Sequence, residues 1–85
     1  MSMETDGVAL RIERAIARAL NVDVSALQRP IRMGSTPGWD SMGHMLVVLE
    51  LEKEFDTRIP TSRLPELVDV ESVARIVGAG RPAGL

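Results

Sequence analysis

Three stretches of this chain repeat aliphatic residues at helical spacing, and none alternates apolar with polar residues as a half-buried strand would. The first runs from about Asp6 to Leu20. There Val8, Ile12, Ala15, Ile16 and Ala19 share one face, while Arg11, Arg14 and Arg18 take the other. Thr5 or Asp6 is placed to cap its start, and Asn21 stands where a helix commonly ends in a left-handed residue. The second stretch opens at Ser41, after the capping residue Asp40, and reaches Phe55. The third is capped by Asp69, turns Val70, Val73, Ile76 and Val77 inward and closes at Gly78. Between the last two, Asp56 to Pro60 reads as a turn. Thr61 or Ser62 then opens a short helical turn bearing Leu64 and Leu67, whose regularity Pro65 limits. The expected fold is all-α: a small four-helix bundle of three main helices and one short one, with a long first loop.

That loop, Asn21 to Trp39, contains Pro30, Gly34, Pro37 and Gly38. Loops of this length inside compact domains are uncommon and usually functional or disordered. Val22, Val24, Leu27 and Ile31 supply apolar anchors, so it reads as packed. The chain's 85 residues suffice for one domain, with an ordered core over about residues 6–78 and a flexible tail over 79–85.

Composition narrows the chemistry. Hydrophobic residues make up 45% of the chain, yet Trp39 and Phe55 are the only aromatic ones, so the core must be aliphatic. With no cysteine, and His44 the single histidine, neither a disulfide framework nor a thiolate or histidine metal site is expected. A chain this short buries only a modest part of its surface, which argues against an extensive catalytic pocket and against an enzyme. No apolar run reaches the length of a signal core or a membrane span, so the expectation is a cytoplasmic protein without membrane insertion. The net charge of −2 is unevenly laid out. Asp40 to Asp56 holds five acids against Lys53, whereas the segments before and after each carry one excess positive charge. An acidic middle does not suit nucleic acid, which needs a basic face, and suits a protein partner better.

The second helix has two apolar faces. At 3.6 residues per turn, with Met42 set at zero, Val47, Val48, Leu51 and Phe55 fall between roughly 140° and 240°. Met42, Met45, Leu46 and Leu49 fall on a separate stripe from roughly 300° to 40°. A small bundle has little material with which to cover both, so the methionine-bearing stripe is expected to be partly exposed. Methionine is flexible and polarizable, which suits a docking surface. Ser41 lies between the stripes.

A serine after an aspartate at a helix start is ordinary capping chemistry when taken alone. Its position nonetheless exposes the hydroxyl where backbone N–H groups and the helix dipole favour an anion. A hydrolytic role fits poorly. Trp39-Asp40-Ser41-Met42-Gly43 lacks the Gly-x-Ser-x-Gly elbow and a preceding strand. His44 reads as a partly exposed packing or docking residue. Trp39 reads as a ring that pins the long loop to the bundle, or else as one that flanks a group on Ser41.

With these residues in place, the chain resembles the acyl carrier protein family over nearly its whole length. The resemblance rests on Asp40-Ser41-Met42, similar to the family's Asp-Ser-Leu, and on Phe55-Asp56-Thr57-Arg58-Ile59-Pro60 at the matching separation. It implies that Ser41 carries 4′-phosphopantetheine, added from coenzyme A by a phosphopantetheinyl transferase, with Asp40 positioning it. It also implies that Met42, Met45 and Leu49, with Glu50 and Glu54 beside them, dock the enzymes that load and process an acyl or aminoacyl cargo. Gly43, His44 and Leu46 stand where housekeeping fatty-acid carriers are acidic, and Asp-Ser-Met-Gly is similar to alanyl carriers. Gly-Trp-Asp-Ser is similar to carriers of polyketide or mixed pathways. The expectation is a freestanding, monomeric carrier of a specialised polyketide, lipid or mixed pathway. The competing reading is a non-covalent helical adaptor that displays the same stripe.

Overall fold

A computed structural model describes residues 3–79, with side chains described over residues 7–77. The order is α1 (Met3–Leu20), a single 3₁₀ turn (Val24–Ala26), α2 (Ser41–Phe55), a 3₁₀ segment (Thr61–Glu66) and α3 (Val70–Ala79). The all-α bundle expected from periodicity is therefore what the chain forms, with three main helices and a short fourth. Pro65 lies inside the short one, where its missing N–H removes one hydrogen bond and keeps the segment short. The 3₁₀ turn in the first loop has no periodic signature and was not expected. α3 runs on to Ala79, one residue past the expected close at Gly78, so Ala79 belongs to the helix and not to a tail; the rest of that expected tail, 80–85, lies outside the described residues.

Each helix end is closed by a local device that the sequence carries. α1 begins at Met3, earlier than expected, so Thr5 and Asp6 lie within it and do not cap it. At the other end Asn21 is left-handed, with φ of 59°. Its N–H reaches Arg18 O at 3.2 Å, and the N–H of Val22 reaches Ala17 O at 3.0 Å, the pair of bonds that defines a Schellman ending. Asp56, with φ of 49°, ends α2 in the same backbone region. At α3, Ser72 N–H donates to Asp69 Oδ1 at 2.8 Å, while Ser72 Oγ accepts from Val68 and Asp69 N–H at 3.0 Å each. This is a capping box with serine as the reciprocating residue.

α1 makes the principal helix–helix contacts of the molecule, along α2 and against α3. Ile12, Ala15, Ile16 and Ala17 are its buried apolar residues among those described, and the alanines allow close approach. Val47, Val48 and Leu51 answer from α2, and Val73, Ile76 and Val77 from α3. The long loop is packed as expected. Leu27, Ile31 and Trp39 enter the core, while Val22 does not and remains 43% exposed. The loop is also tied to the start of α3, where Met33 N–H donates to Val68 O at 2.8 Å and Arg32 forms an isolated antiparallel bridge with Asp69.

The loop ends in a close approach that nothing in a hydropathy pattern reveals. Gly38 takes a left-handed φ of 90° and brings its carbonyl against the first turn of α2, at Gly43. A Cβ on Gly43 would fall well inside the contact distance of Gly38 O. Gly43→Ala is therefore expected to cost about 1–3 kcal/mol through overpacking and to lower Tm by about 4 °C or more. Gly7, by contrast, lies in α1 with open space around it. Gly7→Ala is expected to raise Tm by restoring helix propensity. Thermal melts followed by circular dichroism check both signs.

Candidate functional site

Asp40, Ser41 and Met42 form a short exposed tip between buried neighbours. Trp39, on one side, is 1% exposed; Gly43 and His44, on the other, are buried. Asp40 has the extended backbone of a capping residue, and its Oδ1 accepts the Gly43 N–H at 2.9 Å. Its carbonyl accepts the His44 N–H at 2.8 Å, the first full helical bond. Ser41 is thus the first helical residue of α2, exposed, on a turn whose geometry Asp40 and Gly43 set.

His44 corrects the expectation of a partly exposed residue: it is 7% exposed. The Trp39 Nε1–H donates to His44 Nδ1 at 3.0 Å, and the two rings meet edge to edge and nearly coplanar, with centroids 6.2 Å apart and planes inclined by 19°. An indole N–H only donates, so Nδ1 is the accepting nitrogen and the proton sits on Nε2. Nε2 in turn donates to the Leu64 carbonyl at 2.9 Å. Both ring nitrogens are occupied, so a polar ring is buried without an unpaired atom, and neither nitrogen is directed at Ser41. Of the two readings of Trp39, the ring that pins the loop is the one its burial bears out. A tryptophan five residues before a histidine was the only trace of this pair in the sequence.

The two faces of α2 separate as their angular positions predict. Val47 and Leu51 are fully buried and Val48 nearly so, with Phe55 half-buried at the end of that stripe. On the other side Met42 is 81% exposed, and Met45, Leu46 and Leu49 are each a little over half exposed. Met42, Met45, Leu46 and Leu49 fall at i, i+3, i+4 and i+7, and their stripe begins one residue after Ser41.

Glu50 and Glu54 do not join that face as free acids. Arg18 Nε donates to Glu50 Oε1 at 3.1 Å, and its other arm reaches Glu54 Oε1 at 2.9 Å. Arg11 holds Glu54 Oε2 at 2.8 Å and the Glu54 carbonyl at 2.7 Å, with its guanidinium 4.4 Å from the Phe55 ring centroid. The carboxylates therefore zip α2 to α1. Hydrogen bonding to Arg18 holds Glu50 below the ordinary glutamate range, and hydrogen bonding to Arg11 does the same for Glu54. Glu13 is likewise lowered, mainly by its hydrogen bonds to Arg29 at 2.6 and 2.8 Å. The sequence placed the arginines on the polar side of α1 but could not say which acids they meet.

A cleft of about 740 Å³ lies between α1, the long loop and the start of α3. Val8, Ile31, Val70 and Ala74 give it apolar walls, and none of Asp40, Ser41 or Met42 lines it. Among the described residues no cluster of histidine, cysteine and acidic side chains could hold a metal ion. No described helix is long and apolar enough to cross a membrane. No family model matches the chain.

Two outcomes follow from this geometry. Leu51→Ala is expected to cost about 2–5 kcal/mol, whereas Leu46→Ala changes stability by no more than about 0.5 kcal/mol; denaturant titrations check the contrast. The acid limb of stability provides the other. Glu50 and Glu54 have folded-state pKa values below the ordinary 4.5, so the unfolded chain binds more protons as the pH falls past that value. Their stabilisation is present above pH 4.5 and is lost on the way down through the lowered folded values. Arg18→Ala should flatten that loss in a series of melts at decreasing pH.

Proposed function

We propose that the chain is an acyl or aminoacyl carrier protein, with Ser41 as the attachment point of a 4′-phosphopantetheine arm. The observation that carries this reading is the exposed Ser41 hydroxyl at the first residue of α2, capped by Asp40 and directly followed by an exposed methionine–leucine stripe. The resemblance of Asp40-Ser41-Met42 and of Phe55 through Pro60 to the carrier family supports it as well. The site also fits the group on its own terms. The hydroxyl is open to an incoming enzyme, and the N-terminus of a 15-residue helix tolerates the negative charge of a phosphodiester.

In this reading Ser41 Oγ gives up its proton and forms a bond to the β-phosphorus of coenzyme A. The phosphoanhydride bond breaks, and 3′,5′-adenosine diphosphate leaves. A phosphopantetheinyl transferase with magnesium catalyses the step. Asp40 holds the first turn of α2 so that Ser41 projects outward. When bound, the arm supplies a terminal thiol that carries cargo as a thioester. The chain itself presents and delivers, while loading and processing belong to partner enzymes that dock on Met42, Met45 and Leu49. A specialised polyketide, lipid or mixed pathway and a cytoplasmic, monomeric carrier complete the proposal. The exposed stripe also favours a second reading, a non-covalent adaptor, which would bind its partner regardless of Ser41.

Intact-mass measurement distinguishes the two. After incubation with a broad-specificity transferase, magnesium and coenzyme A, the wild type is expected to gain one phosphopantetheinyl unit and Ser41→Ala none. A folded wild type that neither gains the group nor already carries it would support the adaptor.

A further inference from the structure

The exposed tip Asp40–Met42 is closed at its base by one side-chain bond. Trp39 stands two residues before Ser41 and His44 three residues after it, and their side chains join through the 3.0 Å Nε1–Nδ1 bond. The clasp does not float. His44 Nε2 is anchored to the Leu64 carbonyl of the 3₁₀ segment at 2.9 Å. The Trp39 backbone is held on the other side, its N–H donating to Thr36 O at 3.0 Å and its carbonyl accepting from Gly34 N–H at 2.9 Å. Gly43 lets the Gly38 carbonyl close in from the loop. Between residues 39 and 44 the backbone is thus fixed at both ends.

We infer that His44 is a positioning residue for the modification of Ser41: by accepting from Trp39 and donating to Leu64 it sets the angle at which the tip leaves the loop and thereby aims the Ser41 hydroxyl. The inference rests on the carrier reading. It also separates two tasks within one helix turn. The exposed stripe governs how strongly a partner binds, whereas the clasp governs whether Ser41, once bound, lies in line with the phosphorus it attacks. Displacing a reacting atom by about 1 Å can cost about a hundredfold in rate, so the effect belongs in kcat rather than KM.

The chemistry of the ring makes the idea testable by substitution. His44→Phe keeps an aromatic ring and removes both nitrogens. His44→Gln supplies a carbonyl to accept from Trp39 and an amide to donate to Leu64. Initial rates of phosphopantetheine transfer from coenzyme A, followed by intact mass across a range of carrier concentrations, give kcat and KM for each variant. Circular dichroism and Trp39 fluorescence establish that each is folded. The expected result for His44→Phe is a fall in kcat of more than about tenfold with KM within about twofold, with His44→Gln restoring most of the rate. Met45→Asp, on the exposed stripe, should instead raise KM.

Should His44→Phe lose its helical spectrum, Trp39→Phe removes the donor together with part of a buried ring, carries the same expectation for kcat, and is checked for folding by circular dichroism alone. A folded His44→Phe that is modified at the wild-type kcat, or whose defect lies in KM alone, overturns the positioning role and leaves the carrier reading standing. A wild type that takes up no group removes the carrier reading, and the inference falls with it.

Discussion

Because α1 and the elements around it cover only the Val47–Val48–Leu51 side of α2, the opposite side of that helix is left to solvent, and most of the molecule's character follows. Burying an aliphatic side chain contributes about 1.5–3 kcal/mol. Leaving Met42, Met45, Leu46 and Leu49 largely outside therefore forgoes several kcal/mol that a chain of this size would gain by covering them. The physical limit is surface to volume: a small domain has too few residues to wrap a helix on all sides. Whatever the stripe does is done at the cost of that burial.

The buried face and the long loop compensate by different means. On the helix side, Arg11 and Arg18 reach across to Glu50 and Glu54, so α1 and α2 are registered by charge as well as by their alanine and valine faces. These pairs are half-exposed, and pairs of that kind usually contribute modestly to stability. Their larger consequence is that two acids are withdrawn from the outer face of α2, leaving it more apolar than its composition indicates. On the loop side, Leu27, Ile31 and Trp39 enter the core, and the Met33–Val68 bond ties the loop to α3. A loop pinned at this many points has little freedom left, so Asp40 and Ser41 arrive at α2 from a defined direction.

The Trp39–His44 bond is where loop, helix and 3₁₀ segment meet. A histidine in a core this aliphatic would carry a heavy desolvation cost if either nitrogen were unpaired. Here both have partners, one from five residues upstream and one from 20 residues downstream. The only histidine and the only tryptophan of the chain thus form one hydrogen-bonded unit from either side, along the chain, of the serine that we propose carries the arm.

Much of this was legible in the sequence because it depends on neighbours along the chain. Helical spacing, the caps Asp40 and Asp69, the left-handed Asn21, the limits of α2 and the division of its two apolar stripes are all decided within a few residues, by backbone sterics and a period of 3.6. The serine at the start of α2 and its exposure belong to the same class. Tertiary structure decided the rest. It buried His44, turned Glu50 and Glu54 toward α1, left Val22 outside and required a glycine at position 43. Each of these depends on a group brought close only by folding: the Trp39 indole and Leu64 carbonyl, the Arg11 and Arg18 guanidiniums, the packing of Leu27 and Ile31, and the Gly38 carbonyl. Local rules state what a residue is able to do, but its partner is chosen by the way the helices and loop close over one another.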